Sequence, residues 1–371
     1  MSRRALILLA AAVVVLTLLA QLGSRDTGPA DSEQGAAFVP ELEEALNDIE
    51  RVTLLTAGET PAATLERRAD EWVVIEKDGY RADVGKLRTG LRALAEARIL
   101  EPKTANPTLH SRLGVEDLSD EMAAGLAVSF TASGRTLPTV ILGNAEGSSY
   151  RYARRAGEPQ SFLIDQDPDL PRSPSQWVDP EIVDLRGTRV QQVTITHPDE
   201  TVTISKATPD AANFAVADVP EGRELLYAGV ANVVGNALRE LKLEDVARAD
   251  PSAAAESDAV VVEFRTFDGL VLVARGMADG EQSWLTFAAS YDPEQAARFA
   301  DAAEAVPATD EPDADAATDA AAAPDAAGDV TAEAAAINAR TQGWRYQIAS
   351  YQYDQLTRRM SDLLQPPSAD E

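Results

Sequence analysis

Hydrophobic and polar positions along this chain fall into four kinds of stretch. The first is an apolar run from Ala5 to Leu22, interrupted only by Thr17 and Gln21, with Arg3 and Arg4 before it and Arg25 and Asp26 after it. As a helix rising about 1.5 Å per residue it would reach roughly 27 Å, close to the roughly 30 Å hydrocarbon core of a bilayer. The paired arginines place the N-terminus in the cytoplasm, so residues 1–23 are expected to form a single-pass anchor with everything that follows exported. A cleaved signal peptide shares the basic start and apolar middle but needs small residues at the cleavage site. Leu18, Leu19 and Ala20 suit that poorly and the run continues through Leu22, which favours the uncleaved anchor. Either reading exports the remainder.

The second stretch, residues 24–37, is small and polar (SRDTGPADSEQGAA) and predicts a flexible tether. Pro40 then opens a short helical pattern from Glu41 to Ile49, with proline near its first position and carboxylates in its first turn.

The third kind alternates with strand period, breaks into helical spacing, and does so twice. Val52-Thr-Leu-Leu finds a counterpart in Val193-Thr-Ile-Thr, and Trp72 to Glu76 matches Asn213 to Ala217 with Phe214 in the place of Trp72. A helix follows each set: Val84, Leu87, Leu91, Leu94 and Ala95 share one face of the first, and Leu226, Val230, Val233, Ala237 and Leu241 one face of the second. Four further strands follow the first helix (Leu126 to Thr131, Thr139 to Leu142, Tyr150 to Arg154, Gln160 to Ile164). Three follow the second (Val260 to Arg265, Leu270 to Ala274, Ser283 to Ala288), and Gly343-Trp-Arg-Tyr-Gln-Ile supplies the fourth beyond an interruption. The pattern predicts two related α+β units, residues 38–187 and 188–365, each of antiparallel strands with one main helix.

The interruption is the fourth kind. Residues 301–339 hold ten Asp or Glu, no Lys or Arg, and 17 alanines among their first 36 residues, broken by Pro307, Pro312 and Pro324. Prolines and unbroken negative charge oppose a long packed helix, so the tract is expected to be a disordered insertion whose removal costs little. Asp313, Asp315 and Asp319 imitate a calcium loop, but Thr318 stands where glycine is needed and Pro324 where the closing glutamate is needed.

Composition narrows the chemistry. The chain is 371 residues long and has no cysteine, which removes disulfides, thiolate metal sites and thiol catalysis together. Only His110 and His197 are available as imidazoles, and neither lies among other metal-ligating residues in the sequence. A net charge of -28 opposes nucleic-acid binding. No G-x-S-x-G, Walker A, H-E-x-x-H or dinucleotide G-x-G-x-x-G pattern occurs. Gly143 to Gly147 reads as a hairpin turn, and Gly276 to Gly280 as its counterpart. A carboxylate pair would suffice for a glycosidase, yet with 61 acidic residues spacing singles out none. Among the aromatics (Trp72, Tyr80, Tyr150, Tyr152, Trp284, Trp344, Tyr346), core packing is the expected use, and Tyr351-Gln-Tyr353 is the stretch most suited to an exposed patch. No catalytic, cofactor-binding or metal-binding residue is assigned, and no cofactor is expected.

The anchor, Pro40 before a short helix, Trp72-Val-Val-Ile with Tyr80, Leu113-Gly-Val, Val140-Ile-Leu-Gly143, Tyr150-Arg-Tyr152 and the stretch from Trp344 to Leu364 together resemble the domain of unknown function 4340 family. The acidic insertion departs from that pattern. The resemblance implies no enzymatic role. Because many members are encoded beside ABC transporter subunits of the gliding-motility type, it implies by association an accessory subunit of an envelope assembly. The expectation is therefore a non-enzymatic accessory or binding subunit in the bacterial inner membrane, held through Ala5 to Leu22, with its C-terminal part in the periplasm and ABC transporter subunits as possible partners. The alternative is an envelope glycan or peptide hydrolase using two carboxyls, which would lie about 5 to 9.5 Å apart across a cleft.

Overall fold

The computed structural model describes residues 33–250, 259–279, 282–304 and 326–366. The expected anchor, most of the tether and the calcium-like stretch lie outside the described residues; among the described ones no helix is long and apolar enough to cross a membrane. The chain divides into two compact units between Asp179 and Pro180, earlier than the expected boundary at 187.

The first unit runs α1 (Leu42–Ala45), β1 (Ile49–Thr56), β2 (Thr60–Arg68), β3 (Glu71–Val74), β4 (Tyr80–Arg81), α2 (Val84–Glu96), β5 (Ile99–Pro102), α3 (His110–Leu113), β6 (Leu126–Ala132), β7 (Val140–Glu146), β8 (Tyr150–Arg155) and β9 (Ser161–Ile164). The strands form one antiparallel sheet in the order β4-β3-β2-β1-β6-β7-β8-β9-β5. Val52, Leu54, Leu65, Val74, Val128 and Phe162 are buried on it, and Leu87, Leu91, Leu94 and Ala95 of α2 are buried too. Each large side chain so buried contributes about 1.5–3 kcal/mol. Asp83 caps α2, its carboxylate accepting from the Lys86 amide at 2.9 Å.

The second unit runs β10 (Glu181–Val183), β11 (Val190–Thr196), β12 (Thr201–Ser205), β13 (Ala215–Val216), α4 (Asn232–Gly235), β14 (Leu241–Lys242), β15 (Asp245–Arg248), β16 (Val260–Thr266), β17 (Leu270–Asp279) and β18 (Gln282–Tyr291). It continues with α5 (Pro293–Glu304), α6 (Ala326–Thr341), β19 (Trp344–Ile348), α7 (Ser350–Leu356) and α8 (Met360–Leu363). Its main sheet is ordered β13-β12-β11-β16-β17-β18-β19-β15, while β10 pairs with β14.

Strand for strand, apart from β4, the two orders are the same. The agreement reaches single residues: the β1–β6 register slips between Ile49 and Arg51, and the β11–β16 register slips between Val190 and Gln192, after which Val52 faces Phe130 and Val193 faces Phe264. A bulge at the same place in both copies is a built feature rather than a chance irregularity. The strands that complete the far edge of each sheet, β5 and β15, were not expected from the sequence pattern.

Five expectations need correction. The tether's last residues belong to the fold: Gly35 donates to the Ile99 carbonyl at 2.8 Å, and Ala37 bridges to Arg98. The pattern from Glu41 to Ile49 yields only α1 and a turn of 3-10 helix, because Glu41 takes a left-handed φ of 62° and Ile49 already starts β1. The second main helix contracts to the single turn α4. Leu226 stays 47% exposed and Leu241, though buried, enters β14; Val230 and Ala237 of the expected face are buried, joined by Val234 and Leu238. Gly229, Asn232, Gly235 and Asn236 crowd this segment with poor helix formers, which explains the contraction. The acidic tract is not an uninterrupted disordered insertion: α5 extends to Glu304, and the chain is helical from Ala326 to Thr341, with Val330, Ala334 and Ile337 buried. Lastly, Gly276 lies inside β17, not in a turn, with the Tyr353 ring packed where a β-carbon would stand.

Candidate functional site

A groove of about 440 Å³ lies along α2 in the first unit. The β2–β3 register sets Arg67 opposite Trp72, which carries both side chains to one side of the sheet. Val84, Leu87, Arg88, Leu91, Arg92, Ala95 and Glu96 recur at three- and four-residue spacing, so one flank of α2 forms a wall, and Glu43, Leu46, Asn47 and Ile49 close the other side. Its floor is apolar, with Leu46, Ile49, Trp72, Leu87 and Leu91. Its rim is charged.

Arg92 is paired with Glu96 at 2.8 Å, and that hydrogen bond raises its pKa above the usual guanidinium value. Arg67 donates to the Asn47 carbonyl at 3.3 Å. Arg88, also exposed, makes no hydrogen bond or ion pair with any described residue. The lining contains no hydroxyl, thiol or imidazole, and its two carboxylates are Glu43 and Glu96. It can bind, and it offers no hydroxyl, thiol or imidazole as a nucleophile.

The matching place in the second unit is filled. Leu65 faces Val74 and Ile204 faces Val216, so Lys206 and Phe214 occupy the positions of Arg67 and Trp72. Phe214 is 2% exposed, its amide donates to Asn232 Oδ1 at 3.0 Å, and the Lys206 ammonium stands 4.7 Å from its ring centre. Gly235 makes the fit possible: a β-carbon there would sit 2.2 Å from the ring. In the first unit Trp72 is only half-buried, and the groove stays open beside it.

The residues considered from the sequence are dispersed. His110 is buried with Nε2 at 2.9 Å from the Pro159 carbonyl, and His197 is buried facing the Arg358 carbonyl, so both serve the fold. No group of three or more His, Asp or Glu suited to a metal ion occurs among the described residues. Gly143 lies inside β7 and not in the expected turn, which begins only at Gly147; it sits under Leu113 and Val115, where a β-carbon would meet the Leu113 carbonyl at 2.2 Å, so close packing explains the glycine. Tyr351 is 63% exposed, but Tyr353 packs on Gly276. A hollow of about 530 Å³ near Met277, Phe287, Trp344 and Arg345 adjoins residues outside the described set, whereas every residue lining the α2 groove is described. The sequence had marked Trp72 and the α2 face, but not that they would enclose a groove with Arg67 and Arg88.

Fold and site together define a tandem α+β protein in which one copy keeps a basic-rimmed apolar groove that the other fills with its own ring. The chain belongs to the family described as Domain of unknown function (DUF4340), whose profile matches residues 72–259, from β3 of the first unit to the residue before β16 in the second. No curated protein and no solved structure matches it.

Proposed function

We propose that the chain is a non-enzymatic accessory or binding subunit of an envelope transport assembly, tethered to the inner membrane through Ala5 to Leu22 with its two folded units in the periplasm. The observation that carries the binding role is the α2 groove: an apolar floor under a charged rim of Arg67, Arg88 and Arg92, with no hydroxyl, thiol or imidazole in the lining. Tethering raises the effective concentration at neighbouring membrane proteins to the millimolar range, so a weak contact through such a groove would suffice. A photo-crosslinking residue at Val84, activated in intact membranes, is expected to capture ABC transporter subunits, and removal of residues 5–22 is expected to abolish the adduct. The mature protein should retain Met1 or Ser2 by mass measurement; a start near Gln21 would remove the anchor from this reading.

The groove also gives the hydrolase reading a definite form, since Glu43 and Glu96 are its two carboxylates. Turnover of a glycan or peptide by the purified chain, lost in Glu43→Gln and Glu96→Gln, would replace the binding role.

A further inference from the structure

The two units also differ on the sheet face opposite Val52 and Val193. The registers carry Leu55, Ala127, Ile141 and Arg154 of the first unit onto Thr196, Val261, Arg275 and Thr286 of the second. In the first unit this face is covered by the chain between β5 and β6. Val115 and Leu118 pack with Ala127 and Ile141 in one buried cluster, and Arg154 donates to the Val115 carbonyl at 2.7 Å, to the Glu158 carbonyl at 2.9 Å and to the Asp117 carboxylate. The covering segment is acidic as well as apolar, since residues 113–124 read LGVEDLSDEMAA.

In the second unit the matching connection is shorter, running from 249 to 259 where its counterpart runs from 103 to 125. Arg275 replaces Ile141, Thr286 replaces Arg154, and the line continues on β19 with Arg345 in the place of Ser161. All three line the hollow of about 530 Å³. Neighbouring strands lie about 4.8 Å apart, which sets the two arginine backbones roughly 10 Å from each other with the threonine between them. Arg275 is exposed and makes no hydrogen bond or ion pair with any described residue. Arg345 is held against the Trp284 ring, 4.4 Å from its centre, with Nε buried and unpartnered. Among the described lining residues Asp250 is the one carboxylate, and it is already engaged. The end of α6, which borders the hollow through Thr341, brings about half a negative charge against two whole positive ones.

We propose that this row of the second unit docks an acidic, extended segment of a partner protein, with carboxylates at Arg275 and Arg345. A guanidinium fork matches a carboxylate, and the first unit shows the equivalent face holding a segment that delivers one to Arg154. The site goes beyond the α2 groove and does not depend on it. The test uses the full chain in nanodiscs of zwitterionic lipid and a fluorescein-labelled peptide of the sequence LGVEDLSDEMAA, followed by anisotropy. Binding is expected, weakening as salt is added, and at least tenfold weaker for the same peptide with its acids changed to the amides. Arg275→Glu and, separately, Arg345→Glu should each weaken it at least fivefold; Arg275→Glu is a surface change and should leave the urea midpoint in place. Absence of binding, equal binding of the amide peptide, or indifference to Arg275→Glu with the fold intact would overturn the inference. Displacement of the peptide by inorganic phosphate or succinate at equal concentration would assign the arginines to a small anion instead. Binding seen only in the double variant Glu256→Gln, Asp258→Asn would assign them to the chain's own residues 251–258, and either result ends the proposal. A Val84 crosslink to a transporter subunit tests the α2 groove alone, so either reading can fail while the other stands.

Discussion

Asp292 shows how much one carboxylate does at an element boundary. It accepts from the amides of Glu294 and Gln295, both at 3.0 Å, and from Arg265 at 2.9 Å, just before Pro293 opens α5. The Gln295 amide, ahead of the other causes, holds its pKa below the usual aspartate value. A depressed folded-state pKa means that the stabilisation is complete above the unfolded value of about 3.9 and is lost as pH falls through the folded one. Asp292→Ala is expected to cost about 1 kcal/mol at pH 7, and the gap to the native chain should shrink as pH falls below the unfolded value of about 3.9. Urea unfolding of both at the two pH values measures this; a gap that widens in acid would refute the assignment. At the same scale, the Trp72 and Phe214 pair was readable as a match in sequence. That one ring stays half-exposed while the other is sealed depends on Gly235 and Asn232, which come from a distant segment.

Among the elements, α6 is the one that composition concealed. Its buried stripe is Val330, Ala334, Ile337 and Thr341, but only Val330 and Ile337 are strongly hydrophobic, so periodicity was faint against an alanine background. What docks the helix is polar and specific. The Asn338 side chain donates to the Ala289 carbonyl at 2.7 Å and accepts from the Ala289 amide at 2.8 Å. Arg189 grips Glu333 with two bonds of 2.8 and 2.6 Å, and this pairing raises the arginine pKa further above its ordinary value. Asn338→Ala should cost about 1–3 kcal/mol, because two backbone groups of β18 lose their partner. Hydrogen exchange at the Ala289 amide should accelerate correspondingly, and unchanged protection would mean that the contact is dispensable. The failed second helix teaches the opposite lesson: its apolar spacing was helical, yet two glycines and two asparagines within eight residues outweighed it.

For the whole molecule, duplication is the organising fact. Each unit has its own complete sheet in the shared order and its own buried residues, so residues 33–179 and 180–366, produced separately, should each unfold cooperatively. Urea transitions followed by circular dichroism and by tryptophan emission should coincide for each piece; a non-cooperative first unit would show that the boundary at Asp179 is misplaced. The units differ at the groove, open in one and filled in the other, as well as at β4 and at the helices α5 and α6.

By itself the sequence determined the α+β class, the antiparallel strands, the two copies and the absence of thiol chemistry. Each of these follows from local periodicity or from residue inventory, which survive without knowledge of the fold. Only the tertiary structure decided which far-edge strands complete the sheets, where the tract beyond residue 325 becomes helix, and which copy keeps a groove. Those outcomes depend on contacts between residues far apart in the chain, such as Asn338 with Ala289 and Phe214 with Gly235, and such contacts leave no periodic trace in either partner's own segment.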